Sequence, residues 1–195
     1  MNIIQSPSKN FYVGRKGYKP ELIVVHCTDG NAPGDFNWLR GEGGSRVSSS
    51  YYIAPNGDTH QLVDDANGAW HAGNVLNPTA KLLKKNLVGI VINPNYYSLG
   101  IEVSLLGSQA IGHKQWASLK ELVRELATRH GIPIDRDHVI GHKEIYAAKT
   151  CPGKISVDQL VQELNAAPVP VPVPPSNMVD KEEFKKKIIN FIQSL

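Results

Sequence analysis

Seven histidines, at 26, 60, 71, 113, 130, 138 and 142, and two cysteines, at 27 and 151, are the residues of this 195-residue chain best suited to hold a metal. Two of the histidines close apolar runs. In ELIVVHCTDG, Leu22, Val24 and His26 share one face of an extended chain, while Ile23, Val25 and Cys27 take the other. Both faces are apolar, which describes a central strand with His26 at its C-terminal edge, where open α/β sheets bind ligands. Cys27 points away from His26 and reads as a packed core thiol. In HVIGHKEIYAAKTCPG, His142 ends a second short strand, and Cys151 follows nine residues later in a loop closed by Pro152 and Gly153. A catalytic zinc takes three protein ligands and leaves a fourth position open for water. His26, His142 and Cys151 would supply two imidazoles and a thiolate. Lys149, two residues before Cys151, shares its face in an extended segment. In LGIEVSL, Leu99, Ile101, Val103 and Leu105 alternate with Gly100, Glu102 and Ser104, so the carboxylate faces away from the apolar side. With a metal nearby, Glu102 could take a proton from an activated water. Taken singly, these residues read as a core histidine, a structural cysteine and a solvated strand carboxylate. Only the combination speaks for hydrolysis.

The elements that must position these groups fill residues 1–165. Five strands are expected, at Leu22–His26, Ser50–Pro55, Thr59–Val63, Leu99–Leu105 and His138–His142, and Asn56-Gly57 joins the second and third as a hairpin turn. A helix is expected from Lys114 to His130, with Trp116, Leu119, Leu122, Val123 and Leu126 on one face and Gly131 as its stop. Another follows Ser156. Strands interleaved with helices predict an α/β fold with a mixed central β-sheet flanked by helices. Residues 74–97 read as a long surface excursion. Trp70 and His71 stand together in GAWHAGN; Trp70 reads as a packing anchor or a ligand platform, His71 as a substrate-orienting group, a proton carrier or a third imidazole ligand in place of Cys151.

Composition sets the outer bounds. Lys and Arg number 21 against 18 Asp and Glu, a net charge of +3, too weak a bias for a dedicated nucleic-acid groove. The longest apolar runs are far too short for a transmembrane segment. The opening MNIIQSPSKN lacks the pattern of a signal peptide, so synthesis in the cytoplasm is expected. Two cysteines do not make a disulfide framework. Residues 166–177, AAPVPVPVPPSN, should form an extended Pro/Val-rich linker. Residues 178–195 follow as a short amphipathic C-terminal helix, with Phe184, Ile188, Phe191, Ile192 and Leu195 on one face. Such a helix is marginal alone, and a homo-oligomer through it is the preferred use.

The ordered motifs VVHCT, RVSSSYYIAPNG, GAWHAGN, LGIEVS and IGHKEIYAAKTCPG resemble those of the zinc-dependent N-acetylmuramoyl-L-alanine amidases of type 2, over about residues 20–165. That family includes phage endolysins, muropeptide-recycling amidases and peptidoglycan recognition proteins. The resemblance implies one Zn2+ per chain, held by His26, His142 and Cys151, with Glu102 as general base and then acid. Lys149 would face the developing oxyanion, and His71, beside Trp70, would line the substrate groove. One departure stands out: the phage lysozyme-like branch has a catalytic tyrosine where this chain has Ser49, and Tyr51 and Tyr52 fall two and three residues late. The implied substrate is peptidoglycan, cut between the lactyl group of N-acetylmuramic acid and L-alanine. The linker and tail suit a phage or prophage endolysin that reaches the cell wall after holin-type release. The rivals are a cytosolic muropeptide-recycling amidase and a non-catalytic peptidoglycan-binding module.

Overall fold

Strand β2, Leu22–Cys27, is an unbroken run of buried residues, as a strand covered on both faces must be. In the computed structural model it lies between β5 (Ser98–Val103) and β6 (Val139–Gly141), parallel to both. The structure describes residues 1–166, together with Lys186, Ile189, Asn190, Ile192 and Gln193. Strands β3 (Tyr51–Ile53) and β4 (Thr59–Gln61) form an antiparallel hairpin, β3 runs parallel to β5, and β1 (Ile3–Gln5) adds itself parallel to β4. The result is a six-stranded mixed sheet of order β1-β4-β3-β5-β2-β6. Helices α1 (Gly34–Leu39), α2 (His113–His130) and α3 (Val157–Asn165) complete the fold. By its contacts the chain divides into two units, Met1–Asn165 and Ala166–Leu195.

The two faces of the sheet have different duties. On one, Ile23, Val25, Tyr51, Ile53, Leu99, Ile101 and Val103 pack against Leu119, Leu122, Val123 and Leu126 of α2 and the apolar stripe of α3. Each such side chain, fully buried, contributes about 1.5–3 kcal/mol, so this layer carries the fold. Helix α2 stops at Gly131, whose φ of 66° lets its N–H reach the carbonyl of Ala127. On the other face, Leu22, Val24 and Ile140 pack with Ala72, Leu83, Tyr97 and Ile145. Period 2 places His26 and Glu102 on this second face, directly paired in the β2–β5 register.

All five expected strands form, with ends shifted by one or two residues. Four features differ from expectation, the first being helix α1, which was not expected. β1 was not expected, being only three residues long and half exposed at the sheet edge. His142 does not end β6 but opens the 3-10 turn His142–Glu144, because the Glu144 carboxylate accepts the N–H of Gly141 at 2.7 Å and turns the chain. The 74–97 segment is more than a surface excursion: Leu83 and Tyr97 are buried in the second core, with Val75, Ala80, Val91, Ile92 and Tyr96 packed around it. Leu76 and Leu82 stay partly exposed, and at the tip Leu87, Val88 and Ile90 are the most exposed of its apolar residues. The expected linker from residue 167 onward, and the tail helix with its oligomer apart from the five residues named above, lie outside the described residues. Among the described residues, no helix is long and apolar enough to cross a membrane.

Candidate active site

The C-terminal ends of β2 and β5 deliver His26 and Glu102, and the turn after β6 delivers His142. The segment from Ala148 to Cys151 returns across them, pinned where the N–H of Lys143 donates to the Cys151 carbonyl at 2.9 Å. Close packing is built in at two glycines: a Cβ at Gly141 would lie 2.7 Å from Pro152 Cδ, and one at Gly153 would lie 2.6 Å from the Cα of Gly107.

The ligand atoms of His26, His142 and Cys151 all lie within 4.8 Å of one another. Cys151 Sγ stands 3.6 Å from His26 Nδ1 and accepts the backbone N–H of Cys27 at 3.3 Å. Cys27 itself points into the helix-side core. Burial, reinforced by His142, His71 and Lys149, holds the His26 imidazole well below its ordinary pKa. Burial and Lys149 likewise bring His142 down to about 4. Both rings are therefore neutral, the state in which imidazole donates a lone pair. The contact with the Cys27 thiol, burial and the Glu102 carboxylate push the Cys151 thiol up, so a cation is what would make it a thiolate. Two neutral imidazoles and one thiol, converging beside an open cleft, fit a zinc ion with one position left for solvent.

Glu102 is mostly buried, with Oε1 3.9 Å from His26 Nδ1, and its Oε2 has no partner among the described residues. Burial, with Cys27 and Asp35 adding and Lys149 opposing, lifts its carboxyl to about 8. Lys149 lines the same cleft of about 350 Å³, together with Trp70, His71, Thr28 and Val47. Neighbouring depressions of about 270 and 400 Å³ share Val47 with it, one continuing past Tyr146 and Asn95 and the other past Asp35 and Trp38. Together they make a groove rather than a single pocket.

Trp70 is 39% exposed, its ring 4.7 Å from that of Tyr12, so it is both anchored and presented to the groove. Both nitrogens of His71 are engaged, Nδ1 with His26 Nε2 at 3.1 Å and Nε2 with Ser98 Oγ at 3.3 Å. Ser49 is fully buried, its single O–H shared between the carbonyl oxygens of Tyr51 and Gly100, both within hydrogen-bond reach of Oγ. Tyr51 turns to the opposite face and donates to Asp65 at 2.7 Å, while Tyr52 donates to Asp35 at 3.0 Å. Three residues not singled out from sequence belong to the site. Ser98 and Asn95 hold His71, Asn95 Oδ1 accepting the N–H groups of His71 and Ala72 at 3.2 and 2.8 Å. Asp35 collects the hydroxyls of Thr28, Ser104 and Tyr52 beside Glu102. The one available signal was period 2, which puts Ser98 on the face of Gly100 and Glu102.

Residues 16–154 match the type-2 family described as N-acetylmuramoyl-L-alanine amidase. The chain belongs to this family. It is thus a hydrolase fold of the peptidoglycan amidases, and its six-stranded mixed sheet with flanking helices is theirs. Among solved structures, a selenomethionine derivative of AmpD superposes with a TM-score of 0.66 at 23% identity, covering 83% of this chain and 93% of that one. An endolysin N-acetylmuramoyl-L-alanine amidase, LysCS from Clostridium intestinale, gives 0.62 at 18% identity, covering 85% and 97%. A mutant endolysin from Bacillus subtilis gives 0.60 at 22% identity, covering 84% and 99%. No curated protein sequence matches the amidase chain.

Proposed function

We propose that this type-2 amidase cleaves the amide bond between the lactyl group of N-acetylmuramic acid and L-alanine of the stem peptide, using one zinc ion held by His26, His142 and Cys151. The observation that carries the reading is the convergence of these three ligand atoms within 4.8 Å, beside a carboxylate with a free buried oxygen. Bound there, zinc supplies Lewis acidity to a water molecule and to the scissile carbonyl. Glu102, whose ionised form would be favoured by the charge of a zinc ion held beside it, takes the proton of the attacking water on Oε2 and delivers it to the departing amine nitrogen of L-alanine, base first and acid second. The Lys149 ammonium meets the negative charge that grows on the carbonyl oxygen. Trp70 and His71 form the wall along which the substrate lies, and the groove on either side has room for sugar and peptide.

The protein acts on the assembled cell wall as a phage or prophage endolysin. Two of the three similar structures above carry the word endolysin in their descriptions, and a continuous open groove suits a polymeric substrate. The test sets zinc content and hydrolysis side by side for wild type and Cys151→Ser, scoring new L-alanine amino groups from purified walls and from soluble muropeptides. About one zinc per chain, faster release from walls, and loss of both metal and activity in the variant are expected. Zinc without cleavage would overturn the enzymatic reading, and cleavage of soluble fragments alone would overturn the endolysin role.

A further inference from the structure

A line of hydrogen bonds runs from His26 away from the cleft and ends on a backbone carbonyl. His26 Nε2 lies 3.1 Å from His71 Nδ1, His71 Nε2 lies 3.3 Å from Ser98 Oγ, and Ser98 Oγ lies 2.8 Å from the carbonyl oxygen of Pro94. The direction of the line is fixed at its far end. A carbonyl only accepts, so Ser98 spends its one O–H on Pro94 and must accept from His71. His71 therefore carries its hydrogen on Nε2 and presents a bare Nδ1, which accepts from His26. His26 in turn carries its hydrogen on Nε2, and its bare nitrogen is Nδ1, the atom 3.6 Å from Cys151 Sγ.

We infer that His71 is a positioning residue: through Ser98 and Pro94 it sets the tautomer of His26, so that Nδ1 offers a lone pair to a metal shared with His142 and Cys151. The surroundings hold His71 to this task. Asn95 accepts from its backbone N–H at 3.2 Å. On β5, the absence of a side chain at Gly100 leaves the space the ring occupies, since a Cβ there would sit 2.6 Å from His71 Cγ. Without an acceptor at His71, His26 could place its hydrogen on Nδ1 instead, toward Cys151 and the Glu102 oxygen 3.9 Å away, and the ligand lone pair would face the wrong direction. The inference rests on the zinc reading for its purpose, but its tautomer is a property of the metal-free chain.

Long-range 15N–1H correlation spectra of the full-length, zinc-free protein read the tautomer directly. The expected result is His26 protonated at Nε2 with Nδ1 bare; His26 protonated at Nδ1 in wild type would overturn the inference. The second measurement is zinc affinity by competition with a chelator. Loss of an outer partner of this kind costs about 10- to 100-fold in metal affinity, so His71→Ala should weaken zinc binding by that factor and shift hydrogen onto Nδ1. His71→Gln keeps an acceptor oxygen and should recover both. Unchanged tautomer and affinity in His71→Ala, or a His71→Gln as impaired as His71→Ala, would overturn the inference. Should the alanine variant fail to fold, the wild-type spectrum decides alone. A wild type that shows the expected tautomer yet binds no zinc would refute the metal reading and uphold this one.

Discussion

Replacing Gly100 by alanine tests the packing of the site at its tightest point. Gly100 lies in the middle of β5, where alanine would ordinarily gain about 0.5–1 kcal/mol by restricting the unfolded chain. Here the added methyl would meet His71 Cγ at 2.6 Å, Nδ1 at 2.7 Å and Cδ2 at 2.9 Å. The obstacle is a ring, not the far end of a flexible chain. Its nitrogens bond His26 and Ser98, and its backbone N–H bonds Asn95. The ring must tilt or β5 must shift, and overpacking of this kind costs about 1–3 kcal/mol, more than the entropic gain. For a body of this size each kcal/mol moves the melting temperature about 2–4 °C. Gly100→Ala should therefore melt below wild type, by up to about 10 °C, in calorimetry of the zinc-free protein. It should also bind zinc more weakly, because the His26–His71 bond is displaced. The control is Gly34→Ala at the start of α1, where a Cβ meets nothing within 4 Å; it should melt at or above wild type. A Gly100→Ala protein with wild-type melting and zinc affinity would refute the claim that His71 is fixed against the strand.

Three further outcomes follow from the site and its scaffold. Glu102→Gln keeps the shape of the side chain but cannot take a proton, so hydrolysis should fall about 10²–10⁴-fold while about one zinc per chain stays bound; unchanged turnover would remove Glu102 from the chemistry. Lys149→Ala should lower kcat about 10²–10³-fold, the usual effect of losing one oxyanion-stabilising group, and zinc content measured in parallel should not fall. Far from the cleft, burial raises the Asp65 carboxyl, but hydrogen bonds from Tyr51, His130 and Arg129 outweigh burial and leave it below its ordinary value. A depressed carboxylate contributes stability above its unfolded pKa of about 3.9, and that contribution disappears as pH falls through the lower folded value. Asp65→Asn should then cost about 1–3 kcal/mol at pH 7, and the gap from wild type in urea titrations should close as pH drops below about 4; a gap independent of pH would rule out this linkage.

What could be seen in the sequence is what period and order encode. Strand β2 announced itself through an apolar run ending in His26, and α2 through a stripe ending at Gly131, because both are long enough for their pattern to exceed chance. Helix α1 has six residues and buries only Leu39, so no stripe existed to detect, and β1 owes its place to pairing with Thr59–Gln61, a long-range event with no local mark. The 74–97 segment lacks periodicity because it covers a core with loops, burying Leu83 and Tyr97 at irregular intervals. The site divides in the same way. His26, His142, Cys151, Glu102 and Lys149 carry uncommon chemistry in an ordered set of motifs, and such a set can be recognised without coordinates. Ser98, Asn95 and Asp35 are common polar residues whose importance lies in which nitrogen or hydroxyl each faces. Ser98 matters because it donates to Pro94 and so must accept from His71, and that restriction passes through two rings to Nδ1 of His26. Residue types identify which groups could bind a metal; the direction of a hydrogen bond to a carbonyl, set four residues before Ser98, decides which lone pair is offered.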